Sequence, residues 1–559
     1  MASLESCLLE SGLPVEALME KAALAISRRL MALLDDLPHL KSTDVLMLVG
    51  PGHNGGDGLV VARELHLAGR SVRLWSPFRT RKPLTAAHWR HALWLGIPVM
   101  EQTPDPADRS LWIDALFGVG QTRPPEEEIE SLLIERQRCR PGLLLAIDAP
   151  TGLCTDTGQR LGRGAATAAI TFGIGLIKQG LVQDPALTQV GRLERIDLSF
   201  PASLLTGLPR EQPLGLGNPA CVLADQLSAP WPWLNPAAGK YDRGRLLVVA
   251  GSRAYRGAAP LALCGATASG CGSIRAAIPE ELADSLWQVH PHVVLEASLG
   301  VTEAGGLALA DLPVSWLERL DAVLIGPGIG HAFQSAPDLA RGWIPAAEME
   351  RWRQLQEFSG LVVVDADGLN RLARGVGKEA ECDEKLGPGG AGASQWLRDR
   401  HGPTWITPHQ GEFARLFPDL IGLPPLEAAG AAARRSGVTV LLKGARTVVA
   451  GSDGRRWQLL GASADAARAG LGDVLAGYGA GRGAMALAAA RASGMAGDVD
   501  ASLLAAAALN HAQAGLQVCK RLGKGGTTPM AVAAALQDQP DGATRIEVGH
   551  SLPVAPGCG

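Results

Sequence analysis

Short, unbroken apolar runs that end in glycine or aspartate recur along the chain, separated by stretches with three- and four-residue apolar spacing. The first half carries VLMLVG (45–50), SVRLWSP (71–77), LWIDALFG (111–118) and GLLLAIDAPTGL (142–153). The second half repeats the device in GRLLVVAGS (244–252), IRAAIP (274–279), DAVLIGPGIG (321–330), LVVVDADGLN (361–370), TWITPHQG (404–411) and VTVLLKGARTVVAG (438–451), with WQLLGAS (457–463) as one more strand. A strand covered by helices on both faces reads as a continuous apolar run, so these runs predict parallel sheets. Helical spacing over 13–35, 59–69 and 479–517 supplies the covering layers. The pattern predicts an α/β chain whose first half is a Rossmann-like doubly wound domain.

Composition changes the picture only by exclusion. Of 559 residues, 47% are hydrophobic and 19% charged, which is a globular balance. That length suggests about three or four domain-sized units. A net charge of −4 argues against nucleic-acid or anionic-membrane partners recruited by bulk charge. The nine cysteines stand singly, without CxxC pairs, as expected for a reduced, cytoplasmic protein. Arg482 and Arg491 interrupt the apolar run 479–517, so core helices are expected there and no membrane span. Proline and glycine crowd residues 201–240. The expected boundaries are a domain over 1–210, a linker over 211–220 and a second domain over 221–559, with the Trp231–Pro232–Trp233 cluster packing against one of the domains. Residues 331–358 and 374–394, rich in Gly, Pro and charge, are expected to be long loops.

Candidate chemistry lies at the carboxyl ends of the predicted strands. In open parallel sheets these ends line one crevice. The first half places PGHNGGDG, Asp114 with Gly118 and Gly120, and Asp148 with Thr151 there. Each could be a structural turn or cap taken singly; three such loops converging make a binding site. The second half offers a glycine hairpin at 326–330, Asp365 and Asp367, His409 with Glu412, Lys443–Thr447, and AGLGDVLAG at 469–477. Alone, Gly470–Asp473 is equally a Gly-rich helix entry with Asp473 as N-cap. In that order, however, the series fits a ribokinase-type phosphoryl-transfer site, in which positioning and an anion-binding helix start do most of the catalysis. There is no GxxxxGK[ST] loop.

Residues 13 to about 201 resemble the epimerase domain of the NAD(P)H-hydrate repair enzymes, on Gly52–Gly58, Asp114–Gly120 and Asp148–Gly152. His53 stands where that family usually has asparagine, and MEKAA replaces its MENAG. The resemblance implies a potassium ion held by Asn54, Asp114 and Thr151. It implies hydrated-dinucleotide binding by His53, Asn54, Gly55, Gly56 and Asp57, by Gly118, Val119, Gly120, Gln121, Thr122, Arg123 and Pro124, and by Asp148. Asp148 and Lys178 become its acid–base candidates. Residues from about 220 to 540 resemble the ADP-dependent dehydratase of the same repair system, on Gly326–Gly330, Asp365–Asn370, Thr407–Glu412, Lys443–Thr447 and Gly470–Gly477. Leu471 replaces its threonine. This implies a ribokinase-like domain in which Lys443, Gly444, Ala445, Arg446, Thr447 and Gly472 contact ADP. Ala258, Gly328, Gly330, His409 and Asp473 would face the hydrate, with Asp473 the catalytic base. Mg²⁺ is implied for handling ADP, and the expected partners are small molecules, NADHX and NADPHX with ADP, in a homo-oligomer. The competing function is an ATP-dependent kinase of a small hydroxylated metabolite, for which the NGGDG half would have no use. A non-enzymatic scaffold has no use for convergent acids.

Overall fold

The computed structural model of the chain describes residues 2–36, 43–205, 211–214, 239–331, 345–376, 390–459, 466–492 and 499–537. It divides into two compact units, Met1–Pro209 and Arg210–Gly559. That is fewer than chain length alone suggested, because a single ten-stranded sheet takes up the second half. Both units are α/β, as the alternation of buried runs and helical spacing predicts.

The first unit is built on β1 (Val45–Val49), β2 (Val72–Trp75), β3 (Val99–Met100), β4 (Leu111–Ala115), β5 (Leu144–Ile147), β6 (Ile170–Ile174) and β7 (Arg192–Ile196). They run parallel in the order β3-β2-β1-β4-β5-β6-β7. The order reverses between β1 and β4, and a crevice opens beyond their carboxyl ends. Val45 to Val49 and Leu111 to Ala115 are all buried, which accounts for their unbroken apolar character. PGHNGGDG differs from the expected turn: the helix His53–Leu67 begins inside it. The helix starts so close to the strand that a Cβ on Gly55 would lie 2.0 Å from the Gly50 carbonyl oxygen. Only glycine allows that approach, and its low helix propensity is outweighed.

The second unit contains β8 (Glu211–Leu214), β9 (Arg245–Val249), β10 (Ser273–Pro279), β11 (Val294–Leu299), β12 (Ala322–Ile325), β13 (Leu361–Val364), β14 (Thr404–Ile406), β15 (Thr439–Leu442), β16 (Val448–Ala450) and β17 (Arg456–Leu459). Their order is β11-β10-β9-β12-β13-β14-β15-β16-β17-β8. From β11 to β15 all pairs are parallel, and β15, β16 and β17 then form antiparallel hairpins. The order reverses between β9 and β12, so a second crevice opens there. Helices Ala258–Ala268 and Leu471–Ala492 pack with almost no side chain between them. A Cβ on Gly265 would sit 2.0 Å from the Val474 carbonyl oxygen. The described parts of the small-residue run, 479–492 and 499–517, fall mainly in the helices Leu471–Ala492 and Ala501–Gly526, and no helix among the described residues is long and apolar enough to cross a membrane.

Several expectations need correction. Glu211–Leu214, placed in the linker, is an edge strand parallel to β17; Pro213 sits where its missing N–H costs little. Residues 215–220 and the Trp231–Trp233 cluster lie outside the described residues. The stretch expected as a loop at 331–358 contains the helix Ala346–Glu357, whose Trp352 is fully buried in the core. Its charged residues hid that buried stripe, because Arg353 pairs with Glu350 and Glu357 on the outer face. The stretch 374–394 likewise runs into the helix Gly390–Arg398.

Candidate active site

In the first unit, loops after β1, β4, β5 and β6 meet. Asp114, at the end of β4, is fully buried. It accepts from the Thr151 hydroxyl and Thr151 N–H, both at 2.8 Å, and from Leu116 N–H at 3.2 Å. Burial pushes its carboxyl up to about 6 despite those bonds. Gln121 ties the loops together: its Nε2 donates to the carbonyls of Gly118 (3.0 Å) and Pro150 (3.3 Å), and its Oε1 accepts from Gly152 N–H at 2.7 Å. Asp148 adopts φ 66°, a left-handed conformation that costs free energy in any residue but glycine. Its Oδ2 accepts from Val119 N–H (3.1 Å) and its Oδ1 from Ile174 N–H (3.3 Å). Lys178 forms an ion pair with the same carboxylate and donates to the Ile174 carbonyl at 2.9 Å. A Cβ on Gly118 would lie 2.9 Å from Asp148 Oδ2 and 3.3 Å from Asn54 Oδ1, so these two side chains flank one glycine. Asn54 keeps both side-chain polar atoms buried without a protein partner, which is costly unless a ligand meets them.

Asp57 is buried in the first turns of the helix His53–Leu67. Burial, with the charges of Asp148 and Glu5 added, holds its carboxyl well above the usual carboxylate range. Glu5 reaches this neighbourhood from the helix Ala2–Glu10 and is itself raised by burial, with Lys178 opposing. Sequence reading missed Glu5, which has no motif around it. His53, Gly120, Thr122, Arg123 and Pro124 lie on the exposed rim.

In the second unit, Asp365 ends β13 and is buried. It accepts from the Thr407 hydroxyl at 2.7 Å and forms an ion pair with Lys443, while its Oδ2 is buried without a protein partner. Lys443 follows β15; its N–H donates to the Pro408 carbonyl at 2.8 Å. Gly444–Thr447 make the turn into β16, closed by the Thr447 hydroxyl on the Gly444 carbonyl at 3.2 Å. A Cβ on Gly472 would lie 3.2 Å from Lys443 Nζ, so the AGLGD turn faces this lysine. The helix Leu471–Ala492 starts before Asp473, which is therefore a first-turn residue and not its N-cap. Burial first, then the charge of Asp365, pushes the Asp473 carboxyl up to about 7; Lys443 opposes, and Asp367 and Glu412 add to the rise. His511 approaches the same turn: burial and the Lys443 charge push it down to about 4, so it stays neutral.

His409 caps the helix Gln410–Leu416. Its Nδ1 accepts from Gly411 N–H (2.9 Å) and Glu412 N–H (3.3 Å), and Glu412 Oε2 accepts from His409 N–H at 2.8 Å. The glycine hairpin after β12 is pinned at both backbone polar groups of Gly330. Gly330 N–H donates to Asp367 Oδ2 at 2.9 Å, and the Gly330 carbonyl accepts from Arg371 Nε at 2.9 Å. Buried Arg371 also donates to the Ile329 and Leu307 carbonyls and pairs with Glu348 at 2.9 Å. A Cβ on Gly328 would meet that of Ala258 at 2.6 Å, so the hairpin and the helix Ala258–Ala268 share a wall. The paired acids of LVVVDADGLN could have signalled Asp365 and Asp367; nothing local signals Glu348.

Comparison with known families matches residues 15–180 to the YjeF-related protein N-terminus and residues 246–538 to NAD(P)H-hydrate dehydratase. A bifunctional NAD(P)H-hydrate repair enzyme of Gloeobacter violaceus is 40% identical over 85% of this chain and 85% of its own. The chain belongs to the bifunctional NAD(P)H-hydrate repair enzymes. A Synechocystis relative of the same description is 38% identical over 85% of this chain and 83% of its own. Among solved structures, an ADP/ATP-dependent NAD(P)H-hydrate dehydratase from Bacillus subtilis overlaps 56% of this chain and 95% of that one, at 22% identity and a TM-score of 0.42.

Proposed function

We propose that this repair enzyme returns hydrated NADH and NADPH to service in two steps, epimerising the R and S hydrates in its first unit and dehydrating the S hydrate in its second at the expense of ADP. The observation that carries the second step is the Asp473 carboxylate, raised toward neutrality and set in the first turn of a helix beside Lys443. A base with that proton affinity can accept the proton of the C6 hydroxyl as its oxygen attacks the terminal phosphate of ADP. AMP leaves, Lys443 and the backbone N–H groups of 470–473 stabilise the charge on the transferring group, and the phosphoester forms at C6. Loss of phosphate from C6 and of the proton at C5 restores the dihydropyridine ring. The products are NAD(P)H, AMP and phosphate. Leu471 offers no hydroxyl to the phosphates, and the backbone donors do not depend on one. Ala258, Gly328 and Gly330 form the wall against the hydrate, with His409 at its rim, while Gly444–Thr447 and Gly472 border the nucleotide.

In the first unit Asp148 and Lys178 exchange the proton, and the loops carrying His53–Asp57 and Gly118–Pro124 enclose the dinucleotide. The unpartnered Asn54 amide oxygen, the Asp114 carboxylate and the Thr151 hydroxyl are hard oxygen donors of the kind an alkali cation takes. They would hold potassium, which would neutralise buried Asp114 and anchor the loops. The Asp365 Oδ2, buried and unpartnered, fits Mg²⁺ arriving with the nucleotide; the ion would offset phosphate charge.

The test is to supply mixed hydrate epimers and follow the return of reduced-nicotinamide absorbance. Full recovery with ADP, and none without nucleotide, is expected. No recovery with either ADP or ATP, or a stable phosphorylated product, defeats the reading.

A further inference from the structure

Three soft or borderline donors that the proposed reaction does not use lie on neighbouring elements of the second unit. Cys264 lies on the helix Ala258–Ala268, Met530 on the helix Pro529–Gln537, and His290 just after the short helix Leu286–Val289. Cys264 Sγ is 3.8 Å from His290 Nε2 and 3.5 Å from Met530 Sδ. We propose that Cys264, His290 and Met530 form a binding site for a soft monovalent cation of the copper(I) type.

Metal–nitrogen bonds of about 2.0 Å and metal–sulfur bonds of about 2.3 Å set a nitrogen and a sulfur ligand roughly 3.5–3.7 Å apart, and two sulfurs roughly 3.8–4.0 Å apart, in tetrahedral or trigonal geometry. The Cys264–His290 separation is already of that size, and the Cys264–Met530 pair would open by a few tenths of an ångström to admit the ion. The nitrogen facing Cys264 is Nε2; in the neutral tautomer protonated on Nδ1, that nitrogen presents its lone pair toward the sulfur, as in a metal-bound histidine.

The donor set selects the ion. A thioether favours copper(I), whereas zinc prefers further cysteines, histidines or carboxylates. Among the described residues, no group of three His, Cys, Asp or Glu side chains could hold a metal. The neighbouring His292 is engaged by the Thr267 hydroxyl at 2.8 Å and stays out of the set. Charge agrees as well. On binding, the Cys264 thiol proton passes to solvent, and a monovalent ion with one thiolate leaves a neutral centre, which a buried site tolerates. A divalent ion would leave a net positive charge beside side chains only 8% and 4% exposed, Cys264 and His290. Met530 is 51% exposed and gives the ion a way in.

The test titrates the full-length reduced protein with copper(I), without oxygen, against a chromophoric copper(I) chelator strong enough to outcompete single thiols. The wild type is expected to withdraw one equivalent that Cys264→Ser leaves behind. Met530→Leu, a change at an exposed position, should hold it about tenfold more weakly or worse with the melting temperature of the metal-free protein unchanged. X-ray absorption at one equivalent should show one nitrogen near about 2.0 Å and two sulfurs near about 2.3 Å. Equal withdrawal by wild type, Cys264→Ser and Met530→Leu overturns the proposal, as does an all-sulfur shell from other cysteines or a zinc affinity exceeding that for copper(I).

Discussion

Replacing Asp473 by Asn should destroy dehydration and stabilise the protein at the same time, and the second effect has a distinctive pH dependence. The folded carboxyl is raised from 3.8 to about 7, chiefly by burial. A rise of that size corresponds to about 4 kcal/mol if fully realised. Asp473 is only half-buried, so solvent screening reduces this to about 2 kcal/mol. The sign follows from the two states. Below about pH 4 both folded and unfolded chains keep the proton, and Asn changes nothing. Between 4 and 7 the unfolded chain has released it while the folded chain still holds it, so the cost to the wild type grows; above 7 the full cost is present. With an unfolding entropy of about 2.1 cal/mol/K per residue, the second unit would gain about 3 °C at pH 8 and less than half of that at pH 5. Calorimetric scans of both proteins at the two pH values measure the difference, with turnover of the S hydrate followed in parallel. A variant that melts no higher at pH 8 than the wild type contradicts the burial argument, and one that retains dehydration contradicts the base assignment.

The wild-type dehydratase kcat/KM should rise about tenfold per pH unit and level off above about pH 7, since Asp473 must be ionised in the free enzyme; a flat profile from pH 5 to 8 rejects this. Lys178→Met should cut epimerisation by about 10²-fold or more and leave S-hydrate dehydration untouched, measured with separated epimers. Arg371→Met strands Glu348 and frees the Gly330 carbonyl, so it should cost about 3–5 kcal/mol in denaturant titrations. Gly265→Ala places a methyl 2.0 Å from the Val474 carbonyl oxygen and should cost about 3 kcal/mol by the same titration; a neutral result would mean that the two helices can separate freely.

The strands were legible because burial on both faces writes itself as uninterrupted Val, Leu and Ile, and Asp114, Asp148 and Asp365 stand where those runs stop. The pairings were not. Lys443 and Asp365 are 78 residues apart, and only the parallel stacking of β13, β14 and β15 brings them together. Glu5 has no local pattern to distinguish it from a solvated acid, and it becomes interesting only through what it approaches. The helix Ala346–Glu357 was hidden for the opposite reason: its exposed Arg and Glu residues dominate the composition, while Trp352 and Leu355 carry the packing. Glu211–Leu214 was concealed among prolines and glycines, since an edge strand tolerates Pro213.

The purified R hydrate decides whether one chain performs both reactions. Supplied with ADP, the wild type should convert all of it to NADH with one phosphate released per NADH, while Asp148→Asn should stall at the uncatalysed epimerisation rate yet process the S hydrate normally. R hydrate left unconverted by the wild type, or consumed equally fast by Asp148→Asn, would contradict the two-step reading.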